Sequence, residues 1–262
     1  MKIPFCLPLI DGDVNQEVFS CLNESGWLTT GPKVKLLEEQ IMELCQTSSA
    51  ICVNSWTSGM LLLIRWLDLD EDDEVIVPAY TYAASALSVI NSRVKVVIVD
   101  VNSDFTICMD EVEKAITKYT KVIMPVDLGG LPADYAALNN LLNKVSVRDK
   151  FNPNTEFQRK IGRPIVISDA AHSIGSSIDG VPTPLFSDFS VFSFHSVKNI
   201  TTGEGGAITF KIFNEEQDNV ILKELKLLSL NGQNKTAFEK NAVGGWRYDI
   251  TTNGLKVNMP DI

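Results

Sequence analysis

What this chain is short of narrows its chemistry before any motif is read. It holds only two histidines, His172 and His195, and five scattered cysteines, Cys6, Cys21, Cys45, Cys52 and Cys108, with no C-x-x-C pair among them. An odd, dispersed set of thiols suits neither a disulfide framework nor a zinc site; it reads as buried thiols of a cytosolic chain. Basic residues are outnumbered, 23 Lys and Arg against 33 Asp and Glu, for a net charge of -10. No surplus of cations is available to neutralise phosphates along a polymer, so a nucleic-acid partner is not expected. A small anionic ligand needs only local donors and stays open. Long apolar runs are missing too: Met60 to Leu67 is broken by Arg65 and is too short to span a bilayer. Met1 to Ile10 has one lysine and a short apolar stretch, without the core and cleavage site of a signal peptide. The expectation is a cytoplasmic protein with no membrane partner. There is no G-x-S-x-G elbow for a serine hydrolase. Asp169, His172 and His195 follow no metal-ligand spacing, and no internal repeat or low-complexity segment occurs.

What is present is a globular composition, 262 residues with 45% hydrophobic and 21% charged, enough for one large domain or one and a half. Apolar patterning alternates between helix and strand periods. Helices are expected over Val14–Leu22, Val34–Cys45, Ser58–Leu67, Thr81–Ile90, Met109–Thr117 and Tyr135–Asn143. Strands are expected over Ala50–Val53, Glu74–Pro78, Val94–Val99, Lys121–Val126, Ile165–Ser168, Phe189–Phe194 and Ala207–Phe210. This alternation predicts an α/β fold, a mainly parallel sheet flanked by helices. The polar stretch from Val145 to Arg163, with Asn152-Pro153-Asn154, reads as a loop insertion within the domain.

In open α/β sheets ligands bind beyond the carboxyl ends of the strands, and the residues that follow the predicted strands are chemically distinctive. They are Asn54-Ser55-Trp56-Thr57-Ser58, Tyr80-Thr81-Tyr82, Asp127, Asp169-Ala170-Ala171-His172 and Phe194-His195-Ser196-Val197-Lys198-Asn199. Both histidines fall in this set. Ser55, Thr57 and Ser58 lead into a helix, where hydroxyls and free N–H groups serve either as a cap or as a phosphate cup. Asp169 ends an apolar strand, where a carboxylate needs a cation or a capping role. Lys198 precedes Gly203-Glu204-Gly205-Gly206 and by itself is an ordinary surface lysine. Taken together, a lysine for a Schiff base, a carboxylate for a ring nitrogen, a phosphate cup and an aromatic ring at Tyr82 make up the request of pyridoxal phosphate.

These residues occur in a recognisable order. Ser55-Trp56-Thr57, Asp73-Glu74-Val75-Ile76-Val77-Pro78, the run Val126-Asp127-Leu128-Gly129-Gly130-Leu131-Pro132-Ala133-Asp134, Ser168-Asp169-Ala170-Ala171-His172-Ser173-Ile174-Gly175 and Phe192-Ser193-Phe194-His195-Ser196-Val197-Lys198-Asn199 resemble the DegT/DnrJ/StrS family of nucleotide-sugar aminotransferases. The resemblance runs from about Gly26 to the last residue. It implies fold type I, the aspartate aminotransferase-like large domain, with pyridoxal 5'-phosphate as cofactor. Lys198 then carries the cofactor, Asp169 pairs with the pyridinium nitrogen, His172 lies near the ring and its 3-oxygen, and Tyr82 packs on the ring. Thr57, Ser58 and Ser193 hold the phosphate. Asn258 matches an asparagine that acts on the neighbouring subunit's phosphate, which implies a homodimer. The implied reaction moves an amino group from an amino acid, glutamate in most members, to a nucleotide-linked keto-sugar, at C4 by the likeness of the Ser193–Thr201 run, in amino-sugar and surface-polysaccharide biosynthesis.

The resemblance further divides the chain into an N-terminal helical segment over 1–25, a cofactor-binding large domain over 26–250, and the start of a small domain, largely missing, over 251–262. The rival reading is a remnant that folds or binds cofactor without turnover. A dehydratase of the same fold is disfavoured by Lys198, since that lysine is replaced in dehydratases. The chain departs from the family at Trp56, where a small residue is usual; the indole either points away from the pocket or narrows it.

Overall fold

A computed structural model describes residues 7–240 and 246–262; Cys6 lies outside the described residues. In chain order the helices are α1 (Gly12–Ser20), continued by a π-turn at Cys21–Ser25, α2 (Pro32–Cys45), α3 (Trp56–Trp66), α4 (Ala83–Asn91), α5 (Met109–Ala115), α6 (Tyr135–Leu142), α7 (Val145–Arg148), α8 (Glu156–Ile161), α9 (Glu215–Ser229) and α10 (Ala237–Lys240). The strands are β1 (Ser49–Val53), β2 (Glu74–Pro78), β3 (Lys95–Val99), β4 (Thr120–Ile123), β5 (Ile165–Asp169), the two-residue β6 (Ser177–Ile178) and β7 (Val181–Pro182), β8 (Phe189–Ser193) and β9 (Gly206–Phe210).

Seven strands join one sheet in the order β1-β9-β8-β5-β4-β2-β3. Neighbours run parallel except at β9, which is antiparallel to both β1 and β8. Side chains alternate across a strand, so each strand feeds two cores. Ile51 and Val53 of β1 and Val75 and Val77 of β2 join Met60, Leu63, Ile64, Ile221 and Leu225 under α3 and α9. Ile76, Ile123 and Val166 face the other way and meet Val112, Leu138 and Leu142 of α5 and α6. Ala50, Cys52, Phe192 and Ala207 complete that face beneath Val34, Ile41 and Cys45 of α2.

The expected strands and helices form, with bounds moved by a few residues at most. Two findings go beyond them. The stretch from 145 to 163 is not a plain loop: it carries α7 and α8, and Lys121, buried at 1% exposure, pins it by donating to the Asn152 carbonyl while it pairs with Asp73 at 3.4 Å. A lysine held in the core needs such acceptors around it, and their presence orders the backbone that supplies them. The second finding is α9, to which periodicity assigns nothing. Its buried positions are Asp218, Ile221, Leu225 and Ser229, and two polar residues in a four-residue stripe hide its amphipathic face. Among the described residues no helix is long and apolar enough to cross a membrane.

Candidate active site

Five strand ends meet in one place because the sheet is parallel from β8 to β3. β5 ends at Asp169, which is buried with 5% exposure. Its Oδ2 accepts from Ser85 Oγ at 2.8 Å, and its Oδ1 from the Ala171 N–H at 3.3 Å. Burial pushes this carboxyl up to about 6, against the pull of those two donors; buried Asp127 raises it further and Lys198 lowers it. Among the described residues no cation touches it. A buried carboxylate lacking a partner cation is what a protonated ring nitrogen would complete.

Asp127 lies beside it through a backbone bridge, its N–H donating to the Asp169 carbonyl at 3.1 Å. Its own carboxylate is fully enclosed and fully satisfied. Oδ1 accepts from Ala133 N–H at 3.0 Å and Tyr135 OH at 2.9 Å; Oδ2 accepts from Ser168 at 3.2 Å and Ser173 at 2.8 Å. This network is structural: it clamps the turn after β4 to the turn after β5.

Lys198 follows β8 on a turn whose N–H donates to the His195 carbonyl. Its Nζ lies 2.7 Å from His172 Nε2. Burial lowers the lysine, with Asp169 pulling the other way, and burial together with the Lys198 charge lowers His172. The amine, the form that attacks a carbonyl, is thereby reached at lower pH than in an ordinary lysine.

The head of α3 carries the hydroxyls expected at a phosphate. Ser55 is its N-cap, with Oγ accepting the Ser58 N–H at 3.1 Å and donating to Ser58 Oγ at 2.9 Å. The N–H groups ahead of Ser58 and the Thr57 hydroxyl lie at the positive end of an eleven-residue helix. Gly206 sets how closely β9 approaches: a Cβ there would lie 2.7 Å from both Trp56 N and the Phe192 carbonyl. That contact keeps β9 close to the head of α3, and Gly206 is in turn the register partner of Ser193. Trp56 is buried in the α3 core cluster, so its indole packs into the protein, and among the described residues its Nε1 has no acceptor.

Of the expected residues, the structure thus joins Lys198 to His172, and Asp169 to their surroundings; Thr57 and Ser58 lie in the first turn of α3, and Ser193 closes β8, where its Oγ accepts the His195 N–H at 3.4 Å. Tyr82 stands at the head of α4, 81% exposed, in contact with none of them by hydrogen bond. Asn258 bridges Val53 at the end of β1, just ahead of α3, while its side chain turns to its own chain: its Nδ2 donates to Thr30 Oγ1 at 2.7 Å and its Oδ1 accepts from Lys256. His195 faces Glu204 at 3.8 Å. Ser85 and Gly129, whose N–H donates to His172 Nδ1 at 3.1 Å, were not foreseen as site residues. Ser85 carries no local signal beyond lying one turn into α4. Gly129 is one of a glycine pair after β4, a weak one. Among the described residues no group of His, Cys, Asp and Glu has the makings of a metal site.

The sheet order with its one antiparallel strand matches the fold of pyridoxal-phosphate-dependent sugar aminotransferases. The chain belongs to the DegT/DnrJ/EryC1/StrS aminotransferase family, whose model matches residues 8–148 and 158–262. The gap, 149–157, runs from the end of α7 into the start of α8, inside the stretch read as an insertion. Similar proteins include MJ1066 of Methanocaldococcus jannaschii, 35% identical over 99% of this chain and 62% of its own length. The spore coat polysaccharide biosynthesis protein SpsC of Bacillus subtilis is 30% identical over 99% of this chain and 61% of its own. Among solved structures, Spr1654 of Streptococcus pneumoniae, assigned as a sugar aminotransferase, in its PMP form, superposes with a TM-score of 0.93 at 42% identity, over 99% of this chain and 65% of that one. PseC of Helicobacter pylori, an aminotransferase of pseudoaminic acid biosynthesis, gives 0.81 at 25% over 100% of this chain and 62% of that one. The chain therefore spans a little over three fifths of the length of the relatives it matches.

Proposed function

We propose that this chain is the cofactor-binding part of a pyridoxal-phosphate-dependent enzyme that transfers an amino group from glutamate to C4 of a nucleotide-linked keto-sugar, in the making of an amino sugar for a surface polysaccharide. The observation that carries the reading is the meeting of a half-buried lysine, lowered by burial and set against His172, with a buried aspartate that has no cation in contact among the described residues. Bound pyridoxal phosphate supplies a carbonyl that captures an amine and a ring that withdraws electrons from the carbon beside it. The protein does the rest. Lys198 holds the cofactor, and once displaced it takes and returns the proton at the amino carbon. Asp169 keeps a proton on the ring nitrogen, since a buried carboxylate at this position is relieved by a cation and not by a neutral group. His172 orients Lys198. Thr57, Ser58 and Ser193 take the phosphate at the head of α3, and Tyr82 covers the ring.

Residues 26–250 form the cofactor domain in this reading, 1–25 a helical segment ahead of it and 251–262 the passage toward a second domain. The Asn258 side chain is engaged within its own chain by Thr30 and Lys256, so its role on a second copy's phosphate in a homodimer rests on the family resemblance and requires those contacts to be exchanged. The sugar and polysaccharide assignment draws on SpsC and on the sugar aminotransferases among the structural neighbours.

The test uses the purified chain. Adding pyridoxal phosphate is expected to produce the visible absorbance of a lysine-bound cofactor, and glutamate to convert it. Lys198→Ala is expected to abolish both. Full absorbance and turnover in that variant would remove Lys198 from its role. Absorbance in the unaltered chain without conversion by glutamate would support cofactor binding without turnover instead. A panel of nucleotide keto-sugars, with products read by mass spectrometry, tests the substrate and the carbon.

A further inference from the structure

The turn after β4 contains a device that the cofactor reading alone does not call for. Leu128–Gly130 folds back over the segment that carries His172. Gly129 and Gly130 take φ of 61° and 86°, in the left-handed region that favours glycine, and a Cβ on Gly130 would lie 3.3 Å from the His172 carbonyl. The two segments are locked in register by Asp127, whose carboxylate grips Ala133 on one side and Ser173 on the other, and whose carbonyl accepts the Gly130 N–H. The result is that the Gly129 N–H points at His172 Nδ1 from 3.1 Å.

A backbone N–H can only donate, so Nδ1 must offer a lone pair. A neutral imidazole then carries its single proton on Nε2, and Nε2 is the atom 2.7 Å from Lys198 Nζ. An ammonium at Nζ would set donor against donor. A free amine offers the one acceptor this N–H can use. We propose that the Gly129 amide fixes His172 as its Nε2–H tautomer, and that His172, a positioning residue, thereby holds the Lys198 side chain as a free amine aimed into the site before any cofactor arrives. The titratable groups facing Lys198 are His172 and Asp169, with Asp127 behind Asp169. Burial acts in the same direction as the tautomer: it lowers both His172 and Lys198, and only Asp169 opposes it at the lysine.

The inference rests on Lys198 being the cofactor lysine only for the use made of the amine. It is measured without cofactor, so a wrong tautomer in a chain that still gains the cofactor absorbance defeats this inference and leaves the proposed function standing. Long-range proton–nitrogen NMR of the cofactor-free chain reads the tautomer directly. With two histidines in the sequence, His195→Gln completes the assignment. The expected pattern for His172 near neutral pH is a pyridine-type Nδ1 and a pyrrole-type Nε2; the reverse pattern, or a doubly protonated ring, overturns the proposal. The second measurement is the pH profile of Lys198 labelling by trinitrobenzenesulfonate, followed by peptide mass spectrometry. His172→Asn keeps an acceptor for Gly129 and removes the N–H facing the lysine. Labelling at neutral pH is expected to slow by roughly tenfold or more, as one step in pKa changes the amine fraction by that factor. A histidine that only fills space would leave the profile unmoved, and that result also overturns the proposal.

Discussion

Asp169 stands at a disadvantage that depends on pH. Its carboxyl sits near 6 in the folded chain against 3.8 for an ordinary aspartate, so between those values the folded state binds more protons than the unfolded one. Stability contributed at this residue is therefore present below about 3.8 and lost as pH rises through about 6. The gap is worth roughly 3 kcal/mol at most. Asp169→Asn removes the charge while keeping the shape. In the cofactor-free chain the variant should gain on the wild type by up to about 3 kcal/mol more at pH 8 than at pH 4, read from urea unfolding; an equal difference at both pH values would contradict the burial argument. Cofactor should reverse the ranking, because the neutral amide of the variant offers no charge to a protonated ring. Cysteines give no comparable handle: burial drives Cys45 up to about 12 and Cys52 well up, so both stay as inert thiols.

Helix ends and one close strand approach position the site, and each has a residue whose loss should show. α2 begins on Gly31-Pro32 with no cap of its own. The carboxylate of Asp261, some 230 positions away, takes the Gly31, Lys33 and Val34 N–H groups at 2.7 to 3.0 Å. Asp261→Ala should lose about 1–2 kcal/mol, the upper part of the range for a capping side chain, in chemical denaturation. Gly206→Ala should be worse for function than for folding. Its methyl would meet only backbone, at Trp56 N and the Phe192 carbonyl, and backbone cannot rotate aside. A cost of about 1–3 kcal/mol is expected for such overpacking, with weaker binding of inorganic phosphate or cofactor as the cup is pushed open. Unchanged cofactor affinity would show that β9 does not shape the cup. The strands themselves were legible because each is a short apolar run bounded by turn residues. α9 was not, since Asp218 and Ser229 interrupt its buried stripe; nor were α7 and α8, whose polar stretch is ordered by Lys121 from another element.

At the scale of the whole molecule the homodimer is the feature to test. If Asn258 serves the neighbouring site, then Lys198→Ala and Asn258→Ala chains, each inactive alone, should regain activity when mixed and allowed to exchange subunits. In the mixed dimer one of the two sites has both residues intact. No recovery, with exchange confirmed by mass, would place Asn258 outside the partner's site. The sequence by itself determined the strands, their α/β alternation, and the set of polar residues that must gather at the carboxyl edge. Apolar periodicity and the chemistry of turns are local properties, written within a few residues of where they act. Tertiary structure alone decided that Ser85 reaches Asp169, that Gly129 meets His172 Nδ1, that Trp56 turns into the core and that Asp261 caps α2. The three hydrogen-bonded contacts among these join residues from about 40 to 230 positions apart, and no local pattern along the chain records which distant donor will satisfy a buried acceptor.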